Sequence, residues 1–430
     1  MIRISMLCTI PQRAIPAARW NSVFAATSAT CLRYTSRMAH LMYACDVDAE
    51  PLHRYCIGGY YPLKLGDVLK HGRYRIMHKV GWGGYSTTWA ARDQQENRYV
   101  AVKVSVSEKR DNRESEILQV ISALPKGRPG KDHVVQILDH FEETGPNGTH
   151  KCLVLELLGP NVPDLIDWIY TDERLPARLA KSIAHQALSG VDFLSTYEIG
   201  HGDLHSRNLA FKIPNFDSLN QQEFYDKLGK PETALVSRRD GLELGRGVPS
   251  YLVRPTSFSK SIRQSVRADP DMKIIDFGEA FQTNNAPSRL HTPLVVRAPE
   301  CLFSDRLDHR VDLWSMACLL FELVTGQPPF DAIMVTPESL IQQMMDYCTD
   351  CMPDRWQKKW QEMEKDTSRD YQPPTLQQWL EEVYFDAERN AEFTKQDITK
   401  VGKLVASMLK FDPSSRAQAK EILADPWFRH

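Results

Sequence analysis

The sequence predicts an α+β fold in which short strands are gathered ahead of a larger, mostly helical part. Two observations carry this. Residues 74–106 read as three short strands joined by glycine-bearing and polar turns, and two more strands follow at 134–141 and 152–156. Beyond them the apolar residues recur at helical spacing, most plainly where Leu179, Ile183, Ala187, Val191 and Leu194 share one stripe. Such a stripe reads as core.

The bulk numbers exclude several classes. A chain of 430 residues, 42% hydrophobic and 25% charged, is globular and holds one large or two ordinary domains. A formal net charge of −2 gives no support for chain-wide nucleic-acid binding. No apolar run reaches the roughly 18 residues of a bilayer-crossing helix. Nine cysteines, an odd count, argue for a reducing compartment. Cys348 and Cys351 form a lone C-x-x-C with no second pair at zinc spacing. Residues 1–45 stand apart: they carry Arg3, Arg13, Arg19, Arg33 and Arg37, many Ser, Thr and Ala, and no acidic residue. That is the composition of a mitochondrial transit peptide, and equally of a basic tail or a misplaced gene start.

Taken in order, the first strand (74–80) ends in Gly81-Trp82-Gly83-Gly84-Tyr85-Ser86. Glycines at a hairpin tip let backbone N–H groups approach a phosphate with no Cβ in the way. Ser86 stands where a G-x-G-x-x-G would have its last glycine, so the loop is weaker than the full pattern. The third strand carries Val100-Ala101-Val102-Lys103, which puts an ammonium within reach of phosphates. A helix at 111–124 brings Glu114 and Glu116, one of which should pair with Lys103. Glu116, directly before Ile117 and Leu118, is the choice, leaving Glu114 as a solvated charge. Glu156-Leu157-Leu158-Gly159 reads as a connector whose backbone can bond an adenine ring.

After the 179–194 helix comes His201-Gly202-Asp203-Leu204-His205-Ser206-Arg207-Asn208. A carboxylate five positions before a carboxamide suits phosphoryl transfer: Asp203 can accept the proton of an attacking hydroxyl while Asn208 holds a magnesium ion. An apolar strand then ends in Asp276-Phe277-Gly278, where Asp276 would be a second magnesium ligand. Ala298-Pro299-Glu300, Asp312-Leu313-Trp314-Ser315 and a late Arg416 follow, with Glu300 and Arg416 expected to form a buried structural ion pair.

With these pieces in one order, the chain resembles a eukaryotic protein kinase over about 74–428. The resemblance implies a two-lobed fold (N-lobe 74–156, C-lobe 157–430) with ATP and Mg2+ in the cleft and residues 46–73 packing on it as an extension. It implies Lys103 and Glu116 as the ion pair, Asp203 as the base, and Asn208 and Asp276 as metal ligands. The ATP site would comprise Val80, Gly81, Trp82, Gly83, Gly84, Tyr85 and Ser86, with Thr88 and Ala101 on the neighbouring strands and Glu156 and Leu158 in the connector. Trp82, Ser86, Ala317 and the long interval between Asn208 and Asp276 are similar to the SR-protein kinases, fungal members above all. That group carries a spacer insertion at this point, here about 215–269. It implies phosphorylation of serines in Arg/Ser-rich proteins, often splicing factors, in cytoplasm and nucleus; a monomer is expected, though nothing in the sequence speaks to oligomeric state. Residues 338–392 hold thirteen acidic against six basic side chains, a balance that can steer a cationic peptide or simply solvate helix faces.

Departures from the family pattern bear on activity. Gly202 replaces an Arg that in many kinases binds a phosphorylated activation loop, and the 279–297 segment is short; together they suggest a site independent of such phosphorylation. His205 replaces a Lys that touches the transferring phosphate, and a histidine offers less positive charge near neutrality. Pro293 stands where a Thr is usual, with Thr292 adjacent, Val296 replaces a Tyr, and Ala210 replaces a larger Leu under the adenine. Two other readings share the motifs: a catalytically weak scaffold of the same fold, and a small-molecule phosphotransferase of the aminoglycoside or choline kinase type. The latter has no use for Ala298-Pro299-Glu300, Asp312-Leu313-Trp314 or Arg416.

Overall fold

The computed structural model describes residues 42–429, apart from 110, 170–173, 215, 331–334, 365–372 and 387–388. The transit-peptide reading falls almost wholly on residues 1–41, outside the described residues.

An N-terminal arm with the short strand β1 (Tyr43–Ala44) leads to a six-stranded antiparallel sheet. Its members are β2 (Val68–Leu69), β3 (Tyr74–Gly83), β4 (Ser86–Asp93), β5 (Arg98–Ser105), β6 (Ile137–Gly145) and β7 (Gly148–Glu156), in the order β2-β3-β4-β5-β7-β6. Side chains alternate across a strand, so β5 serves two compartments. Val100, Val102 and Val104 join Leu63, Ile76 and Trp89 under the arm, whereas Ala101 belongs to the large core on the other face. Helix α1 (Arg113–Ala123) covers that second face, burying Glu114, Ile117, Leu118 and Ile121.

The helical part begins with β8 (Leu158–Asn161), α2 (Val162–Ile169) and α3 (Ala177–Thr196). The predicted stripe of α3 is fully buried, and it packs on α7 (Val311–Thr325), whose residues are apolar and buried nearly all round. Between them run β9 (Ile199–Gly200), β10 (Leu209–Lys212), β14 (Met272–Ile274), β15 (Phe281–Gln282) and α6 (Pro299–Phe303). Antiparallel pairing of β8, β10 and β14 forms a small sheet at the lobe junction. Helices α8 (Pro337–Tyr347), α9 (Asp354–Met363), α10 (Leu376–Tyr384), α11 (Lys395–Met408) and α12 (Ala419–Leu423) complete the lobe.

The 215–269 segment shows little periodicity in sequence, yet it folds. It contains α4 (Gln221–Leu228), β11 (Thr233–Leu235), β12 (Ser237–Arg238), β13 (Tyr251–Val253) and α5 (Lys260–Ala268). The two helices bury only one i, i+4 pair each, Phe224 with Leu228 and Ile262 with Val266, too little to stand out as a period, and these elements take their stability from what they lie on. Phe224 stacks on Tyr99 of β5 with centroids 4.4 Å apart, and β12 pairs with β1 of the arm.

Candidate active site

The Asp203 loop is held from beneath. Asp312, buried in the first turn of α7, accepts the backbone N–H of His201 at 2.5 Å and that of Gly202 at 2.9 Å. Burial raises the Asp312 pKa, and these two N–H groups and His201 work against that rise. His201 is fixed as a tautomer: the Asp203 N–H donates to Nδ1 at 3.2 Å, so Nε2 carries the proton and donates to the Ile275 carbonyl at 3.0 Å. Its ring meets Phe277 edge-on. Ser206 adds a bond to Glu322 of α7 at 2.7 Å.

Gly202 has φ +75°, and a Cβ there would lie 2.8 Å from the Glu279 carbonyl and 3.0 Å from Leu290 Cδ2. The glycine is required by the turn itself. Thr292, buried beside Pro293, donates its hydroxyl to the Gly202 carbonyl at 2.5 Å and so ties the 279–297 segment to this loop. Arg297 Nε in turn donates to the Thr292 carbonyl at 2.8 Å, and Glu279 pairs with His291 at 3.0 Å.

Asn208 closes the loop. Its Nδ2 donates to the Asp203 carbonyl at 2.8 Å and lies 3.3 Å from Asp203 Oδ2 and 3.2 Å from His205 Nε2. His205 Nε2 is itself 3.6 Å from Asp203 Oδ2. Asp203 Oδ1 is buried without a hydrogen-bond partner, an acceptor left for something else. The register of β10 with β14 pairs Leu209 with Ile274, and the Ile275 N–H bonds the Asn208 carbonyl, so the chain enters Asp276 beside Asn208.

Asp276 has φ +62° and is about half exposed in the cleft. Lys103 Nζ lies 2.8 Å from its Oδ1 and 2.6 Å from Glu114 Oε1. Burial opposes the Lys103 charge, but the two carboxylates outweigh it and raise its pKa. The same ammonium holds Asp276 well below the usual carboxylate range.

The expected partner Glu116 is corrected here: it is exposed, and Glu114 makes the ion pair. The physical reason is helical phase. Glu114 lies three, four and seven positions before the buried Ile117, Leu118 and Ile121, whereas Glu116 points some 200° away from it. The period of the apolar residues held the signal that could have found it.

Other predicted residues fall as follows. Val80, Gly81, Trp82 and Gly83 end β3, Tyr85 and Trp82 are exposed at the hairpin tip, and Gly84 lies in the turn before Ser86 opens β4. Thr88 pairs with Lys103 and Ala90 with Ala101 across β4 and β5. Glu156 ends β7 with its side chain 2.6 Å from the buried Lys273, a pair that sequence reading missed, and Leu158 opens β8. Ala210 is buried on β10 between Asn161 and Lys273. Glu300 and Arg416 meet twice at 2.6 Å, both buried.

Comparison with known proteins bears on this geometry. The protein kinase domain family matches residues 74–217 and 264–428. A serine/threonine-protein kinase SRPK of Physarum polycephalum is 31% identical over 89% of this chain and 92% of its own length. The chain belongs to the protein kinase family, in its SRPK-type branch.

Further relatives of this kinase include protein kinase dsk1 of Schizosaccharomyces pombe, 26% identical over 88% of the chain and 85% of that protein. A mouse SRSF protein kinase 3 is 38% identical over 39% of the chain and 30% of that protein. The kinase is therefore a serine/threonine protein kinase, a transferase acting on protein substrates, and the small-molecule reading is set aside. Protein kinases in general use ATP and Mg2+. Among the described residues no helix is long and apolar enough to cross a membrane.

Proposed function

We propose that this kinase transfers the γ-phosphoryl group of ATP to serines in Arg/Ser-rich protein segments, with Asp203 as base, Lys103 as phosphate ligand and Glu114 as its positioning partner. The observation that carries the reading is Lys103 in contact with Glu114 and Asp276 at once, which joins strand, helix and lobe junction around one charge. Asn208 and Asp276 offer one carboxamide and one carboxylate oxygen. Such hard donors, few in number, suit Mg2+, which leaves most of its positions to water and phosphate. Bound Mg2+ and ATP supply the phosphoryl group and neutralise the charge that builds up on it.

The chain's own residues do the rest. Lys103 binds phosphate oxygens, and Asn208 keeps Asp203 fixed through the 2.8 Å bond to its carbonyl. Asp203 takes the serine proton through its unpartnered Oδ1. The Thr292 tie to Gly202 supports a 279–297 segment that stays in place without phosphorylation. Asp354, Glu362, Glu364 and Glu382 stand exposed on α9, just beyond it and on α10, which supports a cationic substrate. Such substrates would place the kinase in cytoplasm and nucleus.

The test is phosphate incorporation from ATP into an Arg/Ser peptide and into an acidic serine peptide of equal length. Wild type should favour the basic peptide, and Asp203→Asn should lose the activity. Equal incorporation by wild type and Asp203→Asn would remove the assigned base. A wild type that binds nucleotide but phosphorylates neither peptide would favour a scaffold.

A further inference from the structure

The tip of the glycine hairpin is held from outside by the arm. Tyr60, buried, donates its hydroxyl to the Gly83 carbonyl at 2.7 Å, and Arg54 Nη2 donates to the Gly84 carbonyl at 3.0 Å. Both residues are themselves fixed. The Tyr60 N–H bonds the Arg54 carbonyl at 2.9 Å, and Arg54 also pairs with Glu108 at 2.8 Å. Asn147, in the β6–β7 turn, uses one amide nitrogen to reach both the Tyr60 carbonyl at 2.7 Å and the Gly247 carbonyl of the 215–269 segment at 2.8 Å. Deeper in the arm, Glu50 meets the fully buried Lys79, which stands just before Val80 and Gly81, at 2.5 Å.

The side of the sheet matters. Leu63 at the end of this arm segment clusters with Val100, Val102 and Val104, so the arm lies on the face of β5 opposite to Ala101 and Lys103. In a planar trans peptide the carbonyl of one residue and the N–H of the next point in opposite directions. Carbonyls of Gly83 and Gly84 that are tied to the arm therefore send the N–H groups of Gly84 and Tyr85 away from the Tyr60 hydroxyl and the Arg54 guanidinium.

We propose that Tyr60 and Arg54 are positioning residues for nucleotide binding, presetting two backbone N–H groups of the glycine loop to receive the phosphates of ATP. The inference rests on the ATP reading above. It gives the arm, and the 215–269 segment that braces it through Asn147, a part in setting phosphate affinity. Free carbonyls would let these two peptides rotate, and the N–H groups would have to be ordered by the ligand instead.

The experiment is calorimetric titration of the full chain with ATP and Mg2+, and separately with adenosine, which has no phosphates. Tyr60→Phe keeps the ring and removes only the donor; Arg54→Gln shortens the second tie. Tyr60→Phe should weaken ATP binding about fivefold, the effect of one neutral hydrogen bond, Arg54→Gln about tenfold because its donor is charged, and both should leave adenosine binding unchanged. Arg254→Gln, which breaks an exposed ion pair with Glu232, serves as a control and should change neither. Unchanged ATP affinity in both arm variants, beside a wild type that binds ATP, overturns the proposal alone. Equal loss for ATP and adenosine also overturns it, because the arm would then act only on general stability. A wild type that binds no ATP overturns the reading beneath it as well.

Discussion

Lys103 and Asp276, 173 positions apart in sequence, meet at 2.8 Å across the junction of the two lobes. The contact exists only when β5, α1 and the end of β14 are all in place, because Glu114 holds the same ammonium from the helix. Lys103→Met should lower kcat/KM on an Arg/Ser peptide about a hundredfold or more, and Glu114→Gln about tenfold. Glu116→Gln should leave the rate unchanged, since that side chain faces solvent. Steady-state kinetics on the three variants decides between the two glutamates.

The same pair sets a pH dependence. Asp276 falls below its ordinary 3.8 in the folded chain, so its contribution to stability is complete above that value and is lost as pH falls through the folded pKa. Lys103 rises above 10.5, so its contribution is complete below that value and is lost only as pH climbs through the folded pKa. Thermal unfolding of the nucleotide-free chain should show a steeper loss of Tm on the acid side, below about pH 4, for wild type than for Asp276→Asn. Identical acid limbs would contradict the coupling.

Gly202→Ala should lower Tm by the equivalent of about 1–2 kcal/mol or more, because an L side chain is strained at φ +75° and its Cβ meets the Glu279 carbonyl. The change should also reduce kcat more than it alters the KM for ATP, since the strained turn moves Asp203 and leaves the glycine loop alone. Calorimetry and kinetics on one preparation test both halves.

Arg416 donates to Glu300 and to the carbonyls of Arg310 and Lys410, all away from the cleft. Arg416→Met strands a buried carboxylate and should cost about 3–5 kcal/mol in denaturant unfolding. Adding Glu300→Leu should recover part of that loss, because no unpaired charge remains. An Arg416→Met chain as stable as wild type would show the pair to be idle.

What could be read from the sequence was whatever chemistry fixes by type and spacing. Lys103, Asp203, Asn208 and Asp276 carry groups that few other residues can replace, and their strands and loops bring them to one cleft. The choice between Glu114 and Glu116 needed helical phase. Asp312 was legible only as a motif member; that its carboxylate holds the backbone of His201 and Gly202 follows from a contact 111 positions away. Thr292 was noticed as a neighbour of Pro293, but its bond to Gly202 is tertiary. The elements of 215–269 left little period because each is short, and their partners are tertiary: Phe224 lies on Tyr99 of β5, β12 on the arm, β11 on β13, and Phe258 and Arg263 meet Trp168 of α2.

The pairing of Tyr43 with Arg238 has a bearing on biosynthesis. The partner strand lies at Ser237–Arg238 of a 430-residue chain, so more than half of the protein must leave the ribosome before the beginning of the arm has a strand to lie against. Until then the first turns of the chain wait beside a nascent lobe whose outer face is only partly roofed. The segment that interrupts the kinase match thus serves as a late-arriving clasp, and deleting its strand β12 would leave Tyr43–Ala44 without a partner while every proposed catalytic group stays in the chain.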